Sequence, residues 1–178
     1  METTALNKLL LKTAFACMAC DGNIDKRELI LIKELHKDHQ PFGPIDINSE
    51  LDILLSAINR DGRQFLKDYF SELASFDLSQ DEELKLIEIA IETIKADDKV
   101  EYSEIKFFKV IRAKLKIGDE PILKIHPDFE EYLEKDIISD SYLARLKDDF
   151  FDTHEMKEFE LLSEIDPTYL IEDKKDEE

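Results

Sequence analysis

Apolar residues recur at three- and four-residue spacing through the first 118 positions, a pattern that predicts a series of amphipathic helices. The expected helices cover about residues 3–20, 26–37, 63–75 and 103–116, with two more beginning at Ser49 and at the Ser79 capping box. The helix after Ser79 is apolar over much of its circumference, so we place it at the centre of the bundle. With only 4 glycines and 5 prolines, the chain lacks the turn residues of an all-β fold. The pattern predicts an all-α, compact helical bundle.

The helical pattern is interrupted twice by the same kind of corner. The first copy covers residues 19–28 (ACDGNIDKRE) and the second residues 95–104 (KADDKVEYSE), and they align without a gap. In each, an apolar helix ends at an aspartate, the chain turns past one β-branched residue, and a helix with acidic residues in its first turn follows. We call these segments corner one and corner two. They predict two related helix-turn-helix segments whose carboxylates are Asp21, Asp25, Glu28, Asp97, Glu101 and Glu104.

An EF-hand interpretation of the corners fails on ligand chemistry. Aligning each turn with the sixth loop position places the first and third ligand positions on Cys17 and Ala19, or on Thr93 and Lys95. Calcium requires oxygen ligands there, and an ammonium group repels it. We therefore expect no EF-hand.

Helix capping explains some of these acids. Asp25 and Glu28 have the spacing of a capping box, and negative charge in a first helical turn suits the helix dipole, which also accounts for Glu104. Asp21 and Asp97 instead end the preceding helices, where the dipole disfavours an anion. A local turn hydrogen bond or a shared function could explain these two, and both interpretations stay open.

The doubled corner resembles the motif of the tellurite-resistance TerB family, in which Asp-Gly is followed by a branched apolar residue and a glutamate. The resemblance covers about residues 1–118, and Asp98 stands where the family has glycine. It implies a non-enzymatic, acidic helical domain that binds divalent cations weakly and acts in stress-resistance or membrane-associated assemblies. The matching residues are Asp21, Gly22, Ile24 and Glu28 in corner one, and Asp97, Val100 and Glu104 in corner two.

The six corner acids suggest a cation site. If the two repeats pack about a pseudo-twofold axis, these carboxylates approach one another, and a cation would relieve their repulsion. Oxygen-only ligands favour Mg²⁺, Ca²⁺ or Mn²⁺. The sequence thus gives a hypothesis of weak divalent-cation binding, with helix capping alone as its alternative.

The charge distribution limits the partners of the chain. The formal net charge is −19, and residues 119–178 carry −14 of it, from 21 acidic and 7 basic residues. Such a charge opposes binding to nucleic-acid backbones and to anionic membranes, and leaves cations and basic protein surfaces as partners. We found neither a signal peptide nor a membrane-spanning run, so we expect a cytoplasmic protein.

After Gly118 the regular helical spacing of apolar residues gives way to short amphipathic segments mixed with acidic residues. We expect a TerB-like helical domain over residues 1–118, an acidic and partly helical extension over 119–171 with helices near 140–151 and 154–165, and a disordered tail over 172–178. An alternative function is that of an interaction scaffold without a metal role. Its extension would bind a basic partner through aromatic and acidic residues such as those of positions 148–152 (DDFFD), or fold over the basic face of helix six. Helix six is the helix predicted over about residues 103–116, and its basic face consists of Lys106, Lys109, Arg112, Lys114 and Lys116.

Other chemical motifs are weak. Cys17-x-x-Cys20 and His36-x-x-His39 have a zinc-finger-like spacing, but the cysteines lie in a predicted helix among apolar residues, which favours packing over metal binding. No glycine-rich phosphate loop or activated nucleophile is recognisable, so we expect no enzymatic activity.

Overall fold

The computed structural model describes residues 3–20, 26–96, 100 and 102–133. Every regular element within those ranges is helical, which confirms the all-α prediction. The helices predicted near residues 140–151 and 154–165, and the tail from residue 172, lie outside the described residues. The helices are α1 (Thr3–Ala19), α2 (Lys26–His39), α3 (Ile47–Arg60), α4 (Gly62–Ser75), α5 (Gln80–Ile94), α6 (Tyr102–Lys114), α7 (Asp119–Ile125) and α8 (Glu130–Leu133), with a 3₁₀ turn at Pro127–Phe129.

Helix α1 forms the centre of the bundle. Every side chain from position 13 to position 20 is buried, because α2, α3, α4, α5 and α6 all pack around this helix. The stretch TAFACMAC, which contains no charged residue, is therefore buried on all sides. Helix α5 packs along α1 and buries Leu86, Ile87, Ala90 and Ile91, in agreement with its predicted central position.

Short acidic caps set the helix boundaries. Helix α3 begins before the predicted Ser49, because the Asp46 carboxylate accepts a hydrogen bond from the Ser49 amide at 3.3 Å and caps the helix earlier. Asp61 alone links α3 to α4, and its carboxylate accepts from the Gln64 amide at 2.9 Å. The predicted capping box at Ser79 is confirmed: the Ser79 amide donates to Glu82 Oε2 at 2.8 Å.

Residues 119–133, which the sequence analysis assigned to the extension, pack against the bundle. Helix α7 contacts α5, and α8 contacts α6. The side chains of Ile122, Phe129 and Leu133 are buried, and the Phe129 ring meets the Phe108 ring edge to face at 5.2 Å. The hydrophobic core therefore continues past position 118, at least as far as Leu133.

A buried carboxylate forms hydrogen bonds with the segment that connects α6 and α7. Glu83, in the first turn of α5, is only 4% exposed. Its carboxylate accepts hydrogen bonds from the Lys116 amide at 3.0 Å and from the Ile117 amide at 2.6 Å. These two amides follow the end of α6 and have no helical partner, so Glu83 replaces a missing backbone acceptor.

None of the helices in the described part of the chain combines the length and the apolar character needed to span a bilayer.

Candidate functional site

The structure describes only part of the predicted cation site. Asp21, Asp25, Asp97 and Glu101 lie outside the described residues, and Glu28 belongs to α2 with its side chain also outside the description. Glu104 is fully described, in the first turn of α6. The ends of α1, α2, α5 and α6, which border the two corners, belong to the described residues.

Those helix ends converge. Helix α1 leads into corner one and α5 leads into corner two, and the two helices pack against each other. Helix α6, which leaves corner two, contacts both of them. Glu104 is 8% exposed, and its charge acts on Cys17 in the last turn of α1. The carboxylate at the exit of corner two thus lies beside the helix that enters corner one.

The surroundings of Cys17 determine its chemistry. Burial raises the pKa of its thiol far above the ordinary value, and the nearby Glu104 carboxylate raises the pKa further. The thiol is therefore protonated at neutral pH, whereas a nucleophilic cysteine must be a thiolate. Cys17 acts here as a small apolar side chain.

The zinc-like spacing finds no support around these residues. Cys20 is also fully buried, and neither cysteine forms a disulfide. The His36 ring stacks on Phe42, with ring centroids 5.6 Å apart. Within the described ranges no three histidine, cysteine, aspartate or glutamate side chains form a group suited to a metal ion.

A short polar chain crosses the core close to Cys17, and sequence reasoning missed it. The Tyr69 hydroxyl donates to Thr13 Oγ1 at 3.1 Å, and the Thr13 hydroxyl donates to the Leu9 carbonyl at 2.8 Å. Burial raises the pKa of Tyr69 well above its usual value, and the nearby Cys17 adds to this shift while the Thr13 hydrogen bond opposes it. The phenol therefore stays neutral and keeps its donor role. The sequence signal was Thr13, a hydroxyl residue at the start of an otherwise apolar run.

The Tyr69 ring connects this polar chain to α6. It stacks on Phe107 with centroids 6.0 Å apart, one turn after Glu104. Phe70 also contacts Phe107, at 4.9 Å. Helix α6 is thereby held against α4 and α1 on its aromatic side. Glu104 and Phe107 occupy the inner face of α6, with Ile105 at its edge.

The basic residues of helix six are partly engaged within the fold. Arg112 Nη2 donates to Asp119 Oδ1 at 2.8 Å, and Lys116 Nζ to Asp77 Oδ1 at 3.1 Å. The Lys106 ammonium lies 4.4 Å from the centroid of the Tyr102 ring. The predicted basic face of α6 therefore exists, and one of its partners, Asp119, comes from the acidic C-terminal third.

The described residues of the site support few kinds of chemistry. Of the six corner carboxylates, Glu104 is the one that the structure describes, and it lies beside a core whose thiol and phenol are both held neutral by burial. A neutral thiol and a neutral phenol are poor nucleophiles. In comparisons with protein-family models, with curated proteins and with solved structures, this chain matched none of them.

Proposed function

We propose that the chain is a non-enzymatic, acidic helical domain, similar to the TerB family, whose two corners together bind a divalent cation weakly. One observation supports the proposal most directly: Glu104 of corner two is buried beside Cys17, in the last turn of the helix that enters corner one. Helices α1, α5 and α6, which border the two corners, also pack against one another.

Electrostatics gives the physical reason for a cation. Two carboxylates 5 Å apart repel one another by roughly 3 kcal/mol at an effective dielectric constant of about 20. Six acids around two converging corners would therefore destabilise the fold unless a positive charge compensates them. Oxygen ligands select Mg²⁺, Ca²⁺ or Mn²⁺.

The acidity of the chain suits a role in an assembly. A net charge of −19 favours a protein partner with a basic surface, and the family resemblance places such a domain in stress-response assemblies of the tellurite-resistance type. In this proposal the cation stiffens the corners, and the acidic surface recruits the partner.

The experiment is a titration of the full-length chain with Mg²⁺, Ca²⁺ and Mn²⁺ by isothermal calorimetry. The variant Asp21→Asn with Asp97→Asn removes one carboxylate from each corner at little change in shape. We expect its affinity for the preferred cation to fall at least tenfold, or about 1.4 kcal/mol.

A matched variant controls for net charge. Asp77→Asn with Asp81→Asn also removes two negative charges, but near the N-terminal end of α5, a helix of 15 residues and thus about 22 Å long. Its affinity should stay within about twofold of the original protein, the residual effect of long-range charge. Equal losses in the two variants would mean diffuse counterion attraction and would remove the proposal.

A further inference from the structure

One side of α3 faces away from the bundle. Leu51, Leu55 and Ile58 are buried on the inner side of this helix, which packs against α1 and α4. Ile53 lies on the other side and is 57% exposed, more than any other large aliphatic residue in the described part of the chain. A single exposed isoleucine is ordinary, so the residues around Ile53 decide whether this side is a binding surface.

The exposed residues around Ile53 are arranged symmetrically along α3. Four positions before and after it are Ser49 and Ala57, which are small, and seven positions before and after it are Asp46 and Arg60, which carry opposite charges. Positions separated by three, four or seven residues share one side of a helix, so the five residues form one line along α3. Asp46, Ser49 and Arg60 are exposed and Ala57 is half-buried. We call these five residues the α3 stripe.

Small side chains make this side of α3 accessible to another helix. Helix axes approach to about 8 Å where the side chains at their contact are small. An open depression of about 510 Å³ runs along the same side, and its lining residues are Ser49, Asp52, Ile53, Ser56, Ala57 and Arg60. The stripe therefore has room for a branched apolar side chain beside Ile53.

We propose that the α3 stripe binds a second copy of this chain, with the two α3 helices antiparallel about a twofold axis at Ile53. In such a pair, each residue before position 53 lies opposite the residue equally far after position 53 in the other copy. The two Ile53 side chains meet at the axis. Each Ser49 lies opposite an Ala57, and each Asp46 carboxylate lies opposite an Arg60 guanidinium.

The charges at the two ends of the stripe select the antiparallel orientation. A parallel pair would place Asp46 beside Asp46 and Arg60 beside Arg60, and both contacts are repulsive. The Asp46 carboxylate caps α3 through Oδ1, which accepts from the Ser49 amide at 3.3 Å, and its lone pairs can accept further donors. Arginine binds such a carboxylate through two parallel N–H bonds. Exposed pairs of this kind are worth about 1 kcal/mol or less, so they fix orientation more than affinity.

The size of the stripe predicts a weak dimer. Helix α3 has 14 residues and is thus about 21 Å long. A contact limited to one such helix from each copy is smaller than the area of about 800 Å² per partner found in stable complexes. The net charge of −19 also repels a second copy, although salt at 0.15 M screens this repulsion beyond about 8 Å. We expect a Kd of roughly 0.1 to 1 mM.

The dimer is independent of the proposed cation site. Helix α3 contains none of the six corner acids, and the variants that test cation binding leave the stripe unchanged. Each proposal can therefore fail without the other.

The first test is disulfide trapping of the full-length chain at about 0.5 mM in a glutathione redox buffer. Ile53→Cys places two thiols across the twofold axis, so a large disulfide-linked fraction is expected on a non-reducing gel. Ser71→Cys, at an exposed position of α4, is the matched control and should give little dimer. The native Cys17 and Cys20 are fully buried and contribute little background. If Ile53→Cys forms no more dimer than Ser71→Cys, the proposal is wrong.

A mixture of two variants tests the orientation. Asp46→Cys and Arg60→Cys, one of them carrying an affinity tag, should form a mixed disulfide dimer. Each variant alone should form little, because the two copies of position 46 lie about 21 Å apart along the helix axes. A strong dimer of Asp46→Cys alone would indicate a parallel pair and contradict the proposal.

Sedimentation equilibrium without cross-linking tests the ion pairs. Arg60→Glu turns both attractive contacts into repulsive ones and should raise the Kd of the dimer at least severalfold. Lys85→Glu, at an exposed position of α5, changes the net charge equally and should leave the Kd within about twofold. Equal values in the two variants would overturn the pairing of Asp46 with Arg60. An original chain that stays monomeric at about 1 mM would mean that no second copy binds the stripe.

Discussion

Two buried glutamates near opposite ends of α5 have the same sequence context and different surroundings. Glu83 lies in the first turn of α5 and Glu104 in the first turn of α6, which follows the other end of α5. Both are almost fully buried, at 4% and 8% exposed. Glu83 is held by the backbone amides of positions 116 and 117, whereas Glu104 lies beside the neutral thiol of Cys17.

The difference separates a structural carboxylate from a candidate functional one. Glu83 compensates for its burial by satisfying amide groups that lack any other acceptor, and this accounts for its position completely. Glu104 belongs to corner two and lies beside Cys17, in the last turn of the helix that enters corner one. A buried acid in such surroundings is a candidate for a functional role. We therefore assign a stabilising role to the carboxylate at the first end of α5, and propose cation binding at the second end.

The largest expected effect is on stability at the Glu83 end. Glu83→Ala leaves two amides without an acceptor and should lower the free energy of unfolding by about 3 kcal/mol. Glu83→Gln retains an acceptor oxygen and should cost less. Chemical denaturation measures both, with the exposed neighbour Asp81→Asn as control at about 0.5 kcal/mol or less. If Glu83→Ala is as stable as the control, Glu83 is not a stabilising carboxylate, and the distinction between the two glutamates is wrong.

A smaller effect is expected in the core beside Glu104. Tyr69→Phe removes the hydrogen bond to Thr13 but keeps the ring on Phe107, so the free energy of unfolding should fall by about 1 kcal/mol. Tyr102→Phe, at an exposed tyrosine of α6, serves as the matched control and should change little. If Tyr69→Phe lowers the free energy of unfolding by more than about 3 kcal/mol, the polar chain contributes more than one ordinary hydrogen bond, and the packing of the core depends on it.

The smallest effect concerns the helix cap next to Glu83. The hydrogen bonds from Ser79 hold the pKa of the Glu82 carboxyl below its usual value. A depressed pKa means that the contact stabilises the fold at neutral pH and loses its effect as the pH falls through the folded-state pKa of Glu82. Ser79→Ala should therefore lower Tm by about 3 °C at pH 7 and by less at pH 3.

Carboxyl NMR titration checks the same cap directly. In Ser79→Ala the pKa of Glu82 should move up toward its ordinary value, whereas Ser75→Ala, at the end of α4, should leave it in place. An unchanged Glu82 pKa in Ser79→Ala would contradict the cap as the cause.

Most of the fold was predictable from local patterns. Helix type and approximate position follow from apolar spacing, and the Ser79 box follows from capping chemistry. The failures arose where tertiary contacts decide. Nothing local shows that α1 is surrounded on all sides, although the uncharged stretch from Thr13 to Cys20 gave a hint. The packing of residues 119–133 depends on Phe129 meeting Phe108, which sequence periodicity does not reveal.

The candidate site was predictable in composition but not in geometry. The repeated corner identified Glu104 as one of six acids, but not its burial or its proximity to Cys17. The sequence analysis did not single out Glu83, since its two amide donors lie 33 and 34 residues away in sequence. Long-range pairing of this kind is invisible to spacing rules, which describe neighbours within one helix.

The most direct measurement of the central idea, that the two corners share one cation, is paramagnetic broadening by Mn²⁺ in amide NMR spectra of the full-length chain. At substoichiometric Mn²⁺ we expect the amides of Cys20 and Ala96, which border the two corners, to broaden together with that of Glu104. The Glu83 and Ile117 amides, near the other end of α5, should stay sharp. Broadening at one corner alone, or equal broadening at both ends of α5, would contradict a shared site.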